Sequence, residues 1–540
     1  MKKYLKRILI VFGILISFVL GTQFNVLISS DNIYEAFGKF RDVLVQADKY
    51  YVDDVDAKKL TDSAIEGMLN SLDPHSIYIK PDQLKRVNED FKGKFEGIGV
   101  EFVIVNDTIT VVQPVGGGPS ALVGILSNDK IVKIDGKSSV GYTNDQVMRS
   151  LKGAKGTKVS VSIFRIGVKE LIEFEIIRDV IPLYSVDVHL MLDKEVGYIS
   201  VSRFSETTLD EMRKSLQELQ KEGMKKLILD LRFNPGGFLD QAVKMSDLFL
   251  DGGKDGARKI VYTKSRKTEF DEEYFATTNS EFEKIPIVVL ISNSSASASE
   301  IVSGAIQDWD RGLIVGETSF GKGLVQRQFP LQDGSAFRLT IARYYTPSGR
   351  LIQRAYDAGK DKYQREAFER EEVEGQNVDH KSGKADTTRP VYYTLLNKRK
   401  IFGGGGISPD FVVKSSSSTE YTVSLVRKNI FYEYIVKYLS TNTKDFSEAL
   451  KSSFEDFDKN YTFSNEDLNS FVKFAEEKGV KLNTEQFEKD KKYIGGRLKA
   501  YIARNYFGNV GWYKVILDYD NQLQKAVSLL PEASKIANLN

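Results

Sequence analysis

The sequence predicts a multidomain α/β protein, and three observations carry that reading. From about 181 to 414 short apolar strands alternate with helices, the pattern of a layered α/β domain built from βαβ units. From about 85 to 180 the texture is instead short β-runs with glycine turns. The length of 540 residues, at ~100–200 residues per domain, allows roughly three to five such regions.

The chain carries 76 Lys and Arg against 74 Asp and Glu, a formal net charge of +2, and is 41% hydrophobic with 12 prolines. That is apolar matter enough for real cores, and it argues against a disordered or collagen-like chain. A near-zero charge argues against a dedicated nucleic-acid binder, because neutralising phosphates takes a basic excess. Cysteine is absent, which excludes disulfides, thiolate zinc sites, Cys nucleophiles and anchoring through a lipidated Cys. The histidines are His75, His189 and His380, so a catalytic site has few imidazoles to draw on.

At the N-terminus, Lys2, Lys3, Lys6 and Arg7 precede an apolar run from Ile8 to Leu20 that continues, thinned by Thr22, Gln23 and Asn25, to Ile28. A basic flank before such a run is an export signal, and the run can span a bilayer at about 20 residues. No small-x-small cleavage site follows clearly. Residues 1–29 therefore read as an anchor in the inner membrane, with a cleaved signal peptide as the alternative. The basic flank stays cytoplasmic, which places the body of the protein outside the cytoplasm, in the periplasm.

Residues 30–84 read as helical. Ile33, Phe37, Phe40, Leu44, Ala47 and Tyr51 recur at helical spacing. A second helix is expected between the N-cap Asp56 and Pro74. The stripe either packs on its own domain or zips against a second copy. In 85–180 the runs from Gly97 to Val103, Thr108 to Val112, Lys130 to Ile134 and Lys158 to Phe164 predict strands, and Asn144 to Leu151 a short helix. In 181–414, strands are expected at Val196 to Val201, Lys225 to Leu231, Pro286 to Ser292 and Gly312 to Gly316. Helices are expected at Thr208 to Glu222, Leu239 to Leu250 and from about Ser297. Asp357 to Arg389 is densely charged and glycine-dotted, as an exposed insertion would be. Ser415 to Ser418 reads as a polar linker, and 420–540 as a mainly helical domain.

Three strand ends carry chemistry. Ile287–Ile291 runs into Ser292-Asn293-Ser294-Ser295-Ala296-Ser297-Ala298-Ser299-Glu300. A helix N-terminus there offers free N–H groups and positive potential to a developing oxyanion, and a serine on it can be a nucleophile. Ser297-x-x-Glu300 is equally a capping box. A serine needs a base, and no histidine lies on a loop that the βαβ order brings there. Lys322, in Phe320-Gly321-Lys322-Gly323, stands at the end of the next strand. Acting as a base means lowering its pKa by about three units, roughly 4 kcal/mol, which burial can do. Gly316 to Lys322 also fits a phosphate loop, but Gly323 stands where the magnesium-binding Ser or Thr belongs, and Leu324 to Phe329 is strand-like. The third element, Asp230-Leu231-Arg232-Phe233-Asn234-Pro235-Gly236-Gly237, is a glycine turn on the same sheet edge, whose N–H groups suit an oxyanion hole.

These residues, with Ser71-Leu72-Asp73-Pro74-His75-Ser76 and Phe95-Glu96-Gly97-Ile98-Gly99-Val100, resemble the carboxyl-terminal processing (tail-specific) serine proteases. The resemblance covers about 30 to 414. It implies a crotonase-like α/β protease core at 181–414 preceded by a PDZ domain at 85–180. It also implies Ser297 as nucleophile, Lys322 as general base and Gln326 as the residue that orients the lysine. The oxyanion hole would be the N–H groups of Gly236 and Ala298, with Gly237 in place of Gly236 as the alternative. The choice of Ser297 over Ser294, Ser295 and Ser299 rests on the family motif. Gly97, Ile98, Gly99 and Val100 would form the carboxylate-binding loop, beside a strand that pairs with an extended tail. Two places depart from the family pattern: Gly116-Gly117-Gly118-Pro119, and Asn128-Asp129 where Gly-Asp is usual.

The implied activity is an exported serine endopeptidase that holds flexible C-terminal tails in the PDZ domain and cuts them without metal or cofactor. Residues 31–80 and 415–540 are candidate dimerisation surfaces, and an adaptor protein is a further candidate partner. Two rivals remain: a peptide-binding scaffold with an idle site on the same fold, and a crotonase-like enzyme acting on small thioesters.

Overall fold

The computed structural model describes residues 33–253, 256–277, 281–370, 375–376, 389–416, 418–441 and 453–539. The apolar run Ile8–Ile28 and His380 lie outside them. Among the described residues no helix is long and apolar enough to cross a membrane. The chain divides into two compact units: residues up to Ile79 with Gln328–Leu339, and Lys80–Arg327 with Thr340 onward.

In the smaller unit, helices Ile33–Tyr50 and Ala57–Asn70 are followed by the strand Ile77–Ile79. Asp56 caps the second helix through the Lys59 N–H at 3.1 Å. Asp73 then turns the chain, accepting from the N–H groups of His75 (2.8 Å) and Ser76 (2.9 Å) and from the Ser76 hydroxyl (2.6 Å). The strand pairs antiparallel with Ala336–Arg338. No residue of the first helix is buried. Ile33, Phe37, Phe40 and Tyr51 of its stripe face solvent, Phe37 at 63% exposure.

The larger unit opens with the helix Pro81–Lys92 and a β-rich module. The module's sheet has the spatial order Val100–Val105, Thr108–Pro114, Lys130–Ile134, Lys158–Phe164, Ile172–Ile177, with Lys137–Ser138 beside the third. Alternate residues of these strands, among them Ile109, Val111, Ile131, Val161 and Ile163, close a core with Val147 and Leu151 of the helix Asn144–Leu151. Thr143 caps that helix in a reciprocal box with Gln146. The expected run from Gly97 to Val103 is broken at Ile98–Gly99. Lys94–Gly97 pairs instead with Asp179–Pro182, and Gly99 takes φ +71°.

The second sheet has seven strands in the order Val186–Met191, Val196–Val201, Lys226–Asp230, Ile287–Ile291, Leu313–Gly316, Phe411–Val412, Gly375–Gln376. The second to sixth are parallel, so their ends present three successive loops on one edge. Parallel strands of this kind are covered on both faces. Ile199, Leu227, Leu229, Val289 and Ile314 meet the helices Thr208–Lys221, Leu239–Asp247 and Ala298–Asp308. Tyr198, Ile228, Val288, Leu290, Leu313 and Val315 point the other way, onto Leu517, Leu523, Ala526, Leu529, Leu530 and Ala533.

Two regions differ from expectation. The charged stretch after Asp357 is not simply an exposed insertion. Lys360–Glu369 is a helix that buries Tyr363 and Ala367, because its apolar residues recur four apart within the charged run. The C-terminal region is not a free appendage either. The described residues in 421–441 and 453–516 form their own aromatic-rich core, and the last two helices, Asn521–Ser528 and Leu530–Ile536, form the second layer of the seven-stranded sheet. The 33-residue helix Thr484–Ile516, kinked at Gly508 (φ 64°), joins the two parts. Before the kink it touches the β-rich module: Arg504 pairs with Glu101 at 2.8 Å and Asn505 accepts from Asn128 at 2.9 Å.

Leu530 is 2% exposed and is expected to count as a core residue of the sheet. Leu530→Ala should lower unfolding stability by about 2–5 kcal/mol, read from the denaturant midpoint of the full chain; a change within experimental error would place this helix outside the core.

Candidate active site

The strand Ile287–Ile291 ends at a loop whose serines separate by what their hydroxyls do. Ser295 is buried and donates to the Leu231 carbonyl at 2.8 Å, and Ser299 is buried and donates to the Asn234 carbonyl at 2.9 Å. The Ser294 hydroxyl donates to Asn293 at 3.3 Å. Ser297 is half-buried and its hydroxyl is given to none of these structural acceptors. Its backbone sits at φ 54°, ψ −112°, a strained position for a residue with a Cβ, costing ~1–3 kcal/mol. Such strain lifts a side chain out of a strand-to-helix turn, the geometry of a nucleophile elbow. The helix that follows, Ala298–Asp308, is buried along its whole length.

The capping box is present and does not compete with that exposure. Glu300 accepts from the main-chain N–H of Ser297 at 2.8 Å, and the Ser297 hydroxyl oxygen faces the Glu300 N–H as an acceptor. The same carboxylate accepts the Lys322 N–H at 2.9 Å, the Gly321 N–H at 2.7 Å and the Ser319 hydroxyl. Burial pushes the Glu300 carboxyl above its ordinary range, while the bonds from Ser319, Lys322, Ser297 and Gly321 pull it back. From the other side the Tyr344 hydroxyl lies 2.5 Å from the Lys322 carbonyl and 3.1 Å from the Ser297 carbonyl. Burial, then the nearby Glu300 charge, raises the Tyr344 phenol well above its usual range, so it remains a donor. Both the N–H and the C=O of Ser297 are thus bound to groups that also bind Lys322.

Lys322 precedes the strand Leu324–Pro330, and residues two and four further on share its face. That register brings Gln326 to it: the Lys322 Nζ donates to Gln326 Oε1 at 2.9 Å. The loop is further held by Arg370, which donates to the carbonyls of Ser319 (3.0 Å) and Phe320 (3.1 Å). Arg354 lies over the rings of Phe320 (4.4 Å) and Tyr363 (4.2 Å), a cation–π sandwich.

The turn after Lys226–Asp230 comes against the serine. A Cβ on Gly236 would fall 2.8 Å from the Ser297 Cβ and 2.9 Å from the Ala298 nitrogen, so only glycine allows the approach. The Gly236 N–H, a candidate oxyanion donor, already has a partner. It donates to Asn234 Oδ1 at 2.8 Å, because buried Asn234 closes the turn with its own side chain. Gly237, at φ +152°, and Ala298, at the first turn of its helix, have N–H groups with no acceptor among the described residues. Phe233, between them and the strand, is at φ 60° and 72% exposed.

In the β-rich module the Ile98 carbonyl accepts from the Ser120 N–H (3.0 Å) and hydroxyl (2.7 Å), and the Gly99 carbonyl from the Val115 N–H (2.9 Å). In a trans peptide the N–H opposes the C=O, so the Gly99 and Val100 N–H groups turn away from the module's interior. Gly97 is spent in the pairing with Asp179, and the Ile98 side chain is 2% exposed, a core residue. Val100–Val105 is an edge strand whose outer side pairs with no described strand.

None of the described histidines joins the site. His189 lies on the strand Val186–Met191 and contacts Glu218 (2.9 Å) and Ser215 (3.2 Å). His75 belongs to the turn closed by Asp73. Among the described residues no cluster of three or more His, Asp or Glu is arranged to hold a metal. Sequence reasoning missed Tyr344, Arg354 and Arg370, which carry no local motif, and saw in Glu300 only a cap.

Residues 195–358 match peptidase family S41, 97–176 a PDZ domain, 25–83 the N-terminal domain of the activating protease CtpB, and 421–508 a family of unknown function. A carboxy-terminal-processing protease of Bartonella bacilliformis is 39% identical over 329 residues, 60% of this chain and 74% of that protein. The carboxy-terminal processing protease CtpA of Bacillus subtilis is 37% identical over 319 residues, 59% of this chain and 67% of that protein. Among solved structures, a photosystem II D1 C-terminal processing protease shares 28% identity over 58% of this chain and 89% of its own, at a TM-score of 0.32. On the strength of the sequence relatives, the chain belongs to peptidase family S41 and is a carboxy-terminal-processing serine peptidase that carries a PDZ domain.

Proposed function

We propose that the peptidase works through a Ser297–Lys322 dyad, on proteins whose flexible C-terminal tails the PDZ module holds. The observation that carries this reading is the sharing of Glu300 and Tyr344 by the main chains of both residues, with the Lys322 Nζ on Gln326. Neutral Lys322 takes the proton from the Ser297 hydroxyl as its oxygen attacks the scissile carbonyl. The oxyanion forms against the N–H groups of Ala298 and Gly237, the latter replacing Gly236, whose N–H is already bound. Lys322 then returns the proton to the leaving amine. It next takes a proton from water, whose oxygen attacks the acyl-enzyme, and passes that proton to the departing Ser297 oxygen, which frees the serine and leaves Lys322 neutral. The tail's carboxylate meets the N–H groups of Gly99 and Val100, and its backbone adds to the open edge of Val100–Val105.

The basic flank and the apolar run at Ile8–Ile28 support an extracytoplasmic enzyme anchored in the inner membrane. The exposed stripe of the first helix supports a homodimer, since contiguous apolar surface on this scale marks an interaction site. Phe37→Glu should then convert a dimer into a monomer in light scattering of the folded protein. Wild type that is monomeric at micromolar concentration would discard the dimer.

Cleavage of denatured casein tests the dyad. Ser297→Ala and Lys322→Ala should each abolish turnover while leaving the melting temperature close to wild type. Activity that survives either substitution removes the dyad, and a wild type inert toward every unfolded substrate favours the idle scaffold. Glu300→Gln tests the clamp. An amide presents two donors toward N–H groups that need an acceptor, so buried donors go unsatisfied at about 1–3 kcal/mol each. Turnover should fall at least about 100-fold, in the range of lost oxyanion donors. Wild-type turnover in this variant would show that the carboxylate is not needed.

A further inference from the structure

We propose that Asp520, in the C-terminal helical region, is a positioning residue for the oxyanion turn, which it holds in its strained conformation through Arg232. The inference rests on the assignment of the Gly237 N–H to the oxyanion hole and extends it to a part of the chain outside residues 195–358, which match the peptidase family.

The turn runs from Arg232 to Gly237, and its weak point is Phe233. A bulky residue at φ 60° persists only where its surroundings over-determine it. The Phe233 side chain supplies no anchorage, being 72% exposed. The turn is instead held by the Phe233 N–H, which donates to Ser292 Oγ at 3.1 Å, and through the two flanking residues. On the C-terminal side, buried Asn234 donates to the Val201 carbonyl at 2.8 Å and accepts the Gly236 N–H at 2.8 Å. On the N-terminal side, Arg232 is clamped between two carboxylates. Its Nε lies 3.0 Å from Asp230, while Nη2 and Nη1 reach the two oxygens of Asp520 at 2.5 and 3.0 Å. Nη1 also donates to Gln522 at 2.8 Å. The arginine side chain is 11% exposed and that of Asp520 16%, so this is a bidentate, charge-assisted pair shielded from water.

Asp230 cannot do this work alone. Its bonds lie within the sheet: it accepts the Arg232 N–H at 2.9 Å and the buried Tyr198 hydroxyl of the adjacent strand at 2.7 Å. Asp520 supplies a fixed point behind the sheet. Its Oδ1 caps the helix Asn521–Ser528 through the Leu523 N–H at 3.0 Å, and Leu523 and Ala526 of that helix are packed on the sheet face. The Gln522 side chain adds a bond to the Val413 carbonyl at 2.7 Å. The turn that carries Gly236 and Gly237 is therefore referenced to a rigid layer behind the sheet.

The experiment uses the full chain with Asp520→Asn, which keeps an N-cap of equal quality and nearly the same shape but removes the charge. Steady-state cleavage of denatured, fluorescein-labelled casein should show kcat lowered by about 10- to 100-fold, short of the ~10²–10³ for outright loss of an oxyanion donor, with KM little changed. The second-order rate of Ser297 labelling by a fluorophosphonate, whose adduct places a phosphoryl oxygen in the same hole, should fall in parallel. Asp520→Glu should recover part of both. Arg232→Gln combined with Asp520→Asn should be no slower than Arg232→Gln alone. A kcat within twofold of wild type in Asp520→Asn overturns the proposal, as does a lowered melting temperature with unchanged kcat and labelling rate, which would make the pair purely structural. Ser297→Ala separates the two readings. If that variant still cleaves, the serine mechanism has failed and this role falls with it. If it is inert while Asp520→Asn is fully active, only the positioning role is lost.

Discussion

A single buried carboxylate organises the catalytic end of this molecule. Glu300 is fully buried, and its two oxygens take the N–H groups of Ser297, Gly321 and Lys322 and the hydroxyl of Ser319. An ionised group in such a place is costly unless every lone pair is used, and here the donors come from both loops that carry the proposed chemistry. The energetic demand of the carboxylate is what brings the loops together: neither can relax without stranding a buried charge. Tyr344 closes the same pair of residues from their carbonyl side. The main chains of Ser297 and Lys322 are thereby held by shared bonds, and the lysine Nζ donates to Gln326.

Two residues with side chains sit at positive φ around this centre, Ser297 and Phe233, and each is flanked by groups that hold it. For Ser297 these are Glu300 and Tyr344. For Phe233 they are Asn234 and Arg232. Asn234 also links the two strained turns, since its carbonyl accepts the Ala296 N–H at 3.0 Å and the Ser299 hydroxyl at 2.9 Å. Strain of this kind persists only where the structure around it is stiff. The buried helix Ala298–Asp308 supplies that stiffness, tied at its far end by the Arg350–Asp308 pair at 2.5 Å.

The strands and the three motif loops were legible because their signals are local. Ile287–Ile291 is an unbroken apolar run, Asp56 and Thr143 announce helix starts, and glycine marks the turns. The catalytic candidates were legible through the family motif, whereas composition alone could not choose among four serines. The structure distinguishes them by hydroxyl partners, which no pattern encodes. Tyr344, Arg354 and Arg370 reach the lysine loop from strands and helices later in the chain, and such contacts follow from topology, not spacing. Gly236 and Gly237 stayed alternatives in the sequence because the motif gives two glycines and no backbone direction, whereas the structure gives the Gly236 N–H to Asn234. The Asn128 departure now has a physical sense: at φ 69° asparagine tolerates the turn that glycine usually makes, and its side chain reaches Asn505.

The sequence did hold a clue that the C-terminal region belongs to the enzyme. Strands such as Leu227–Leu229 and Ile287–Ile291 are apolar at every position, which means cover on both faces, while the helices between 181 and 414 cover only one. The missing layer had to come from elsewhere, and the helices from Asn521 onward provide it. A boundary drawn at the polar linker near Ser415 follows the chain's texture but cuts through a core. The same region also meets the PDZ module, where Tyr432 and Val436 pack on Val105 and Val112 and leave the outer edge of Val100–Val105 open. One element, the kinked helix Thr484–Ile516, thus leads from the strand that would hold a tail to the layer that holds the oxyanion turn. Physically the folded unit is the sheet with both its covers, and the PDZ module is fastened to the second cover.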